Sequence, residues 1–556
     1  MQFISIVKNN YINSTMKEII LGLSSLFIFN IAVISQQLPL TIAEKSDYKT
    51  TATYAEVMDF IKEVTKDAKE IGIEYFATTT YGKKLPLLIV ADPLPATPED
   101  LKNDDRVVVY IQANIHAGEV EGKEGSLMLL RDLLHTKYAE VLKDIVVLIV
   151  PILNADGNDQ ISKENRTRQN GPENGVGVRH NGQNLDMNRD GMKLETPEVN
   201  GVVQNILNRW DPAVMVDCHT TNGSYHEEPV TFSWIMNPNS DLTLKNFMRD
   251  EMMPEVQDRL QNVYKTNNCF YGNFVDNRNP EKGWIFGAAA PRYMTNYIGL
   301  RNRMAILNEN YVYADYKSRV LGSYNLLKSI LDYSAKNKKL IKSQVAEADQ
   351  RTIKKGNNPD ESTLFALKYK PTPTPNPVTI KSFIVETYVD ENGRNRYRPT
   401  EKKKAVTVPY LADYVATKEV QIPYAYILAH PDKEVLQNLK SHGIMVEKLK
   451  KDLKVEVERY KIEEITARTR LNQGHYNTSL KGEFISETKQ FAKGTYFVKT
   501  GQKLGNLVTY LLEPEADDGL LSWNYFDRYL APQWGRSYFP YPVYKVMHKT
   551  SFPSSK

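Results

Sequence analysis

Residues 107–124 read VVVYIQANIHAGEVEGKE. The first half is an apolar, β-branched run, the pattern of a strand buried on both faces. His116 and Glu119 follow it with Ala117 and Gly118 between them, and a helical pattern starts near Glu121 and runs through SLMLLRDLL. An imidazole and a carboxylate therefore stand three residues apart where a strand gives way to a helix. In open α/β sheets ligands bind in that crevice, and Zn²⁺ accepts imidazole nitrogen together with carboxylate oxygen. Taken alone, the pair fits a surface histidine and glutamate at a helix start at least as well. The rest of the chain decides.

Outward from this stretch, strand and helix patterns alternate. Residues 54–68 carry apolar side chains at Tyr54, Val57, Phe60, Ile61 and Val64, which predicts an amphipathic helix. Residues 75–80 and 85–91 read as strands around a turn at 81–84, and residues 145–152 (IVVLIVPI) as a second buried strand. Residues 154–192 are rich in Asn, Gly and Arg and lack periodicity, and a loop of that length inside a domain is usually functional or disordered. Helices are expected at 196–210, 242–264 and 313–334, with short strands at 213–217 and 304–307. The alternation indicates an α/β sandwich on a mixed, mostly parallel sheet. The proline-rich run at 370–378 reads as a stiff linker. These patterns set expected boundaries: a catalytic domain over 50–335, a linker over 336–378, and a smaller α/β or β-rich accessory region over 379–556.

Composition narrows the class. The 556 residues are 41% hydrophobic and 25% charged, ordinary for a soluble multidomain protein. A net charge of +4, from 71 basic and 67 acidic residues, gives no electrostatic reason to expect nucleic acid or a membrane surface as partner. The apolar run at 19–35 follows Lys8 and Lys17 and reads as a signal peptide spanning 1–35, cleaved near Ser35, so the expected location is secreted or periplasmic with no membrane span after cleavage. Only Cys218 and Cys269 are present, either one disulfide or buried free thiols, and no disulfide scaffold.

Polar residues recur where apolar strands end. His116 follows VVVYIQAN, Asn154 ends IVVLIVPILN, His219 ends AVMVDC, and Glu309 lies just past MAILN. Strands lying side by side would gather these ends at one edge of the sheet. Between them runs Asn184-Leu-Asp186-Met-Asn188-Arg189. The combined pattern resembles the zinc metallocarboxypeptidases of the carboxypeptidase A type: H-x-x-E at His116 and Glu119, D-x-N-R at Asp186 to Arg189, a later ligand histidine at His219, and a glutamate after a further strand at Glu309. The likeness covers roughly residues 55–335 and is closest to a branch of secreted bacterial proteins.

The resemblance implies a three-layer sandwich and one Zn²⁺ held by His116, Glu119 and His219, with Asp186 orienting His116. Glu309 is then the general base, and Asn188 and Arg189 receive the substrate's terminal carboxylate. The arginine that stabilises the oxyanion falls among Arg166, Arg168 and Arg179, with Arg166 preferred, and the family's mobile tyrosine falls on Tyr297. The expected activity is hydrolysis of C-terminal residues from peptides. A zinc amidohydrolase acting on N-acyl amino acids or peptidoglycan stem peptides shares the same metal chemistry, and a non-catalytic binding protein of the same fold is a third reading. The partner expected is a peptide or amide bearing a free carboxylate.

Overall fold

The structure is a computed structural model, and it describes residues 38–430, 432–535 and 537–553. The expected signal peptide lies outside the described residues. Its core is an eight-stranded sheet whose strands are β1 (Ile71–Thr78), β2 (Lys84–Val90), β3 (Val107–Ala113), β4 (Ile145–Val150), β5 (Val214–Thr221), β6 (Val230–Ser233), β7 (Asn268–Phe270) and β8 (Met304–Tyr311). Their order across the sheet is β1-β2-β4-β3-β5-β8-β6-β7. The neighbours β4-β3, β3-β5 and β5-β8 run parallel, whereas β1-β2, β2-β4 and β8-β6 are antiparallel. Every residue of β3, β4 and β5 is buried. That is why β3 and β4 read as continuous apolar runs rather than alternating ones.

Helices α1 (Tyr54–Val64) and α2 (Glu121–His135) match the sequence reading. Thr53 caps α1 in a reciprocal capping box with Glu56. Two glycines let α2 sit close: a Cβ on Gly122 would lie 2.3 Å from the Cβ of Cys218, and one on Gly125 would lie 3.0 Å from the Tyr324 amide. Helix α3 (Met294–Leu300) is wholly buried and leads into β8, and α4 (Tyr316–Lys336) packs along α2. The α/β class with a mixed sheet is as expected. Cys218 and Cys269 are free and buried.

The stretch read as a linker is ordered secondary structure. It holds the end of α4, a further helix α5 (Lys338–Asn357), and strand β9 (Leu364–Pro373). Pro371 and Pro373 fit because β9 is the edge of its sheet, bonded on one side to β12 (Tyr410–Gln421), and an edge strand tolerates the missing N–H. Between them β10 (Val378–Val389) and β11 (Asn395–Val408) form a hairpin. Beyond lie β13 (Ala425–Leu428), helix α6 (Lys433–Ser441), β14 (Leu453–Ala467), β15 (Thr478–Phe491), β16 (Tyr496–Lys499), helix α7 (Gly505–Leu512) and β17 (Val543–Val546). Residues 448–468 carry alternating charges, and most of them form strand β14, which is paired along its length with β15. The described residues from Leu40 onward form one compact unit. Among the described residues no helix is long and apolar enough to cross a membrane.

The C-terminal strands and helices grip the segment that follows the D-x-N-R motif. Asn438 Nδ2 donates to the carbonyls of Met192 and Lys193, and the Tyr525 hydroxyl to Lys193. Gln473 Oε1 accepts the Asp186 amide at 2.7 Å. His475 Nε2 lies 2.8 Å from Glu195 Oε1. This hydrogen bond with Glu195 raises the His475 pKa above 6.5. Burial acts to raise Glu195, but His475 and Lys193 hold it below the usual carboxylate range. A histidine whose folded pKa is raised stabilises fully below its unfolded value and loses that contribution as pH climbs through the folded one; the depressed glutamate loses its share only in acid. His475→Gln is therefore expected to cost about 1 kcal/mol at pH 6, and less at pH 9. Urea unfolding of both proteins at the two pH values checks this.

Candidate metal centre

The site stands at the C-terminal ends of β3, β5 and β8. In the parallel pair β5-β8, His219 is the direct partner of Glu309. Registered partners project to the same face, so a ligand-type histidine and a carboxylate stand side by side by strand pairing alone. His116 and Glu119 lie in the turn between β3 and α2, where the Glu119 amide bonds the His116 carbonyl. Gly118 is required there, because a Cβ would meet Arg166 Cδ at 2.4 Å.

Both imidazoles are held in the same way. His116 presents Nε2 to Asp186 Oδ1 at 3.0 Å and Nδ1 to Glu119 Oε1 at 3.1 Å. His219 presents Nε2 to Asp217 Oδ2 at 3.1 Å and Nδ1 to Glu119 Oε2 at 2.9 Å. A carboxylate accepts, so each Nε2–H donates outward to an aspartate and each Nδ1 lone pair faces the site. A lone pair this close to a carboxylate oxygen is unfavourable unless a cation or a proton lies between them. His116 Nδ1 is accordingly buried without a hydrogen-bond partner. The donor atoms of His116, Glu119 and His219 all lie within 4.8 Å of one another. Two imidazoles and one carboxylate suit Zn²⁺ in a shell that keeps a position open.

Positive charge surrounds this cluster. Arg166, at φ +51, donates Nη1 to Glu119 Oε1 (2.8 Å), Nη2 to the Thr220 carbonyl and Nε to Gln169. Burial acts to raise the Glu119 carboxyl, but His116 and Arg166 hold it well below its ordinary value. Arg179 Nε bonds Asp186 Oδ2 at 2.8 Å. Burial likewise acts against Asp186, and His116 and Arg179 keep it ionised. Glu309 is the exception: burial raises its pKa, with the Glu119 charge adding to the effect and His219 and the arginines opposing it. A half-buried carboxyl displaced upward in a cleft is the environment a general acid–base needs.

These groups open into a cavity of about 610 Å³ lined by His116, Glu119, Arg166, Arg179, Asn188, Arg189, His219 and Glu309. The Arg189 guanidinium lies 4.6 Å from the centre of the Tyr293 ring, and Asn188 Oδ1 accepts the Met294 amide. Arg168 lines the same cavity. Tyr297 does not. Its helix α3 is buried on all sides, its ring is fully enclosed, and its hydroxyl lies 2.8 Å from His442 Nδ1. His442 Nε2 donates to the Met192 carbonyl, so Nδ1 accepts and the tyrosine proton is committed. The tyrosines at the cavity are Tyr271 and Tyr293. Asn154 is structural as well: its side chain caps a short helix and bonds the Arg179 carbonyl. Asp217 went unread in the sequence. Its signal was its place two residues before His219, on the same face of one strand.

Residues 57–224 match the family model of Peptidase_M14, zinc carboxypeptidase. The chain carries a domain of that family and is a zinc-dependent peptide hydrolase. Carboxypeptidase 2 of Trichophyton tonsurans is 20% identical over 494 residues, spanning 84% of this chain and 81% of that protein. Carboxypeptidase 2 of Trichophyton rubrum is 21% identical over 459 residues, spanning 80% and 78%. Among solved structures, a metallo-carboxypeptidase from Burkholderia cenocepacia covers 51% of this chain and 69% of its own at 17% identity and a TM-score of 0.35. Carboxypeptidase A from Helicoverpa armigera covers 54% and 75% at 15% identity and a TM-score of 0.37.

His219→Ala is expected to lower bound zinc by one equivalent per chain. Asp186→Asn and Asp217→Asn keep the ligands but weaken their orientation, and each is expected to reduce zinc affinity about 10–100-fold. Competition against a chelator measures both effects.

Proposed function

We propose that the protein removes the C-terminal residue from peptides, with Glu309 as the general base. The observation that carries this reading is the placement of Glu309. Its half-buried carboxyl stands beside His219 in register and lines the same cavity as all three metal donors. Bound at His116, Glu119 and His219, Zn²⁺ would polarise the scissile carbonyl and make water acidic enough to attack near neutral pH.

The chain's own groups do the rest. Glu309 takes a proton from the attacking water and returns it to the leaving amine nitrogen, so the carboxylate is restored when the C–N bond has broken. Asp186 and Asp217 hold the two imidazoles in the Nε2–H form throughout. Arg166 has a side chain that is 23% exposed while bonded to Glu119; it fixes that carboxylate and faces a developing oxyanion with positive charge. Arg189 and Asn188 lie at the same cavity, and a guanidinium suits a planar carboxylate. Glu121 and Glu124, the other acids of the HAGE segment, are not alternatives for the base. Glu121 is paired with Arg319, and Glu124 accepts from Thr51 and Ala52. The apolar run at 19–35 supports export of the protein, with a mature chain starting near Gln36, which N-terminal sequencing of the exported form reads directly.

Glu309→Gln is expected to keep zinc and fold while turnover falls about 100-fold or more. Near-normal turnover in this variant would remove Glu309 from the mechanism. If Arg189 and Asn188 bind a terminal carboxylate, a peptide amide is cut far more slowly than the matching free acid, because the bidentate contact also positions the scissile carbonyl. Arg189→Ala then erases most of that difference by slowing the free acid alone. Equal kcat/KM for acid and amide in the wild type would refute the exopeptidase assignment and favour an amidohydrolase.

A further inference from the structure

A second group of metal-type donors lies outside this cavity. His226, Glu228 and Cys269 offer one nitrogen, one oxygen and one sulfur atom, all within 4.8 Å of one another. None of the three lines the catalytic cavity. All are buried, with exposures of 4%, 1% and 3%. His226 and Glu228 stand on the turn entering β6, and Cys269 sits on β7, paired in register with Thr231.

Two of the donors have unmet demands. His226 Nδ1 and Glu228 Oε2 are buried and make no hydrogen bond, although they stand only 3.4 Å apart. The opposite carboxylate oxygen is committed, since Glu228 Oε1 accepts the Lys381 amide at 2.9 Å. The imidazole is also fixed, stacked on Tyr311 at 3.8 Å and met edge-on by Trp284. A buried unpaired carboxylate oxygen costs about 1–3 kcal/mol or more. Here it faces a nitrogen and a sulfur held within the same few ångströms.

We infer that His226, Glu228 and Cys269 form a second, structural metal site, and that its ion is Zn²⁺. The donor set selects the metal. Hard cations such as Ca²⁺ and Mg²⁺ take six or more oxygens, whereas a mixed sulfur, nitrogen and oxygen set suits a borderline ion. Charge agrees: one thiolate and one carboxylate neutralise a dication, which a buried site requires. On binding, the Cys269 thiol gives its proton to solvent and its sulfur lone pair to the metal. Burial and the neighbouring Glu228 keep that thiol protonated otherwise.

The site's location gives it a role. The turn at 225–228 is stitched to β10: Glu227 donates to the Lys381 carbonyl, His226 forms an isolated bridge with Ser382, and Ser382 Oγ donates to the Tyr225 carbonyl at 2.7 Å. A metal here would clamp the β10-β11 hairpin and β7 onto the β5-β6 connection. Two residues beyond Cys269, Tyr271 lines the catalytic cavity and its hydroxyl meets Thr221 at 3.2 Å. The second ion would fix one wall of the active site without touching substrate.

The test uses the full chain, dialysed and loaded with Zn²⁺ or Co²⁺. Elemental analysis is expected to give two zinc equivalents per wild-type chain. Cys269→Ser and Glu228→Gln each reduce this to one while the equivalent at His219 remains, and His219→Ala removes the other one. The cobalt-loaded wild type is expected to show a sulfur-to-metal charge-transfer band that Cys269→Ser abolishes and His219→Ala leaves intact. Among the described residues the catalytic donor set holds no sulfur, so the band reports the second site alone. One zinc in the wild type, lost in His219→Ala, with no sulfur band, overturns the second site and spares the first. A sulfur band with zinc unchanged by His219→Ala overturns the catalytic ligand assignment and spares the second. The zinc content and the cobalt band of the wild type by themselves decide whether the second site exists, so a variant that fails to fold leaves that result readable.

Discussion

The parallel register of β3, β5 and β8 is the constraint on which the site depends. Side chains alternate across a strand, so a slip of one residue between β5 and β8 would turn Glu309 away from His219. No loop adjustment restores that, because both residues lie within the pairing itself. The register is enforced by burial. Every residue of β3 and β5 is buried, and only Glu309 in β8 is less than fully enclosed. A shifted strand would drive polar groups such as Asn308 and Asn310, which bond Ser323 on α4, out of their places. The apolar core therefore does chemical positioning. The strength of its packing fixes the distance between a base and a metal.

Around that register the charges are arranged in layers. Glu119 stands at the centre, approached by two imidazoles and Arg166. Behind the imidazoles stand Asp186 and Asp217, and behind those stand Arg179 and Gln112. Each buried charge meets a partner of opposite sign or a donor, which is the condition for keeping it ionised. Glu309 is placed differently. It lacks a carboxylate-to-arginine contact of the kind Glu119 has, and burial moves it in the direction useful for proton transfer.

How much of this was legible depended on separation along the chain. His116, Glu119, His219 and Glu309 were legible because each follows a run of apolar residues, and strand ends are where a polar side chain inside a core pattern stands out. The parallel centre of the sheet was legible in the same runs. Tyr297 was not, since chain order cannot say which face of a buried helix turns to the cavity; α3 turns this ring inward and leaves Tyr271 and Tyr293 at the opening. The proline run at 370–378 misled for a related reason: proline excludes the interior of a sheet but not its edge, and β9 is an edge. The C-terminal grip on the site was beyond pattern reading altogether. The Gln473–Asp186 contact joins residues 287 positions apart, and no local periodicity encodes such a partner.

That contact changes what kind of object the C-terminal region is. A detachable module evolves on its own schedule and can be exchanged between enzymes. Here the backbone of Asp186, whose carboxylate orients a metal-binding imidazole, is held by Gln473, and the segment just after it by Asn438, His475 and Tyr525. A replacement at any of these positions alters the frame from which the metal site hangs. The two halves are expected to drift together, with substitutions near residues 186–195 matched by others near 438–525. A chimera that joins this catalytic sheet to a relative's C-terminal region would have to carry that segment with it.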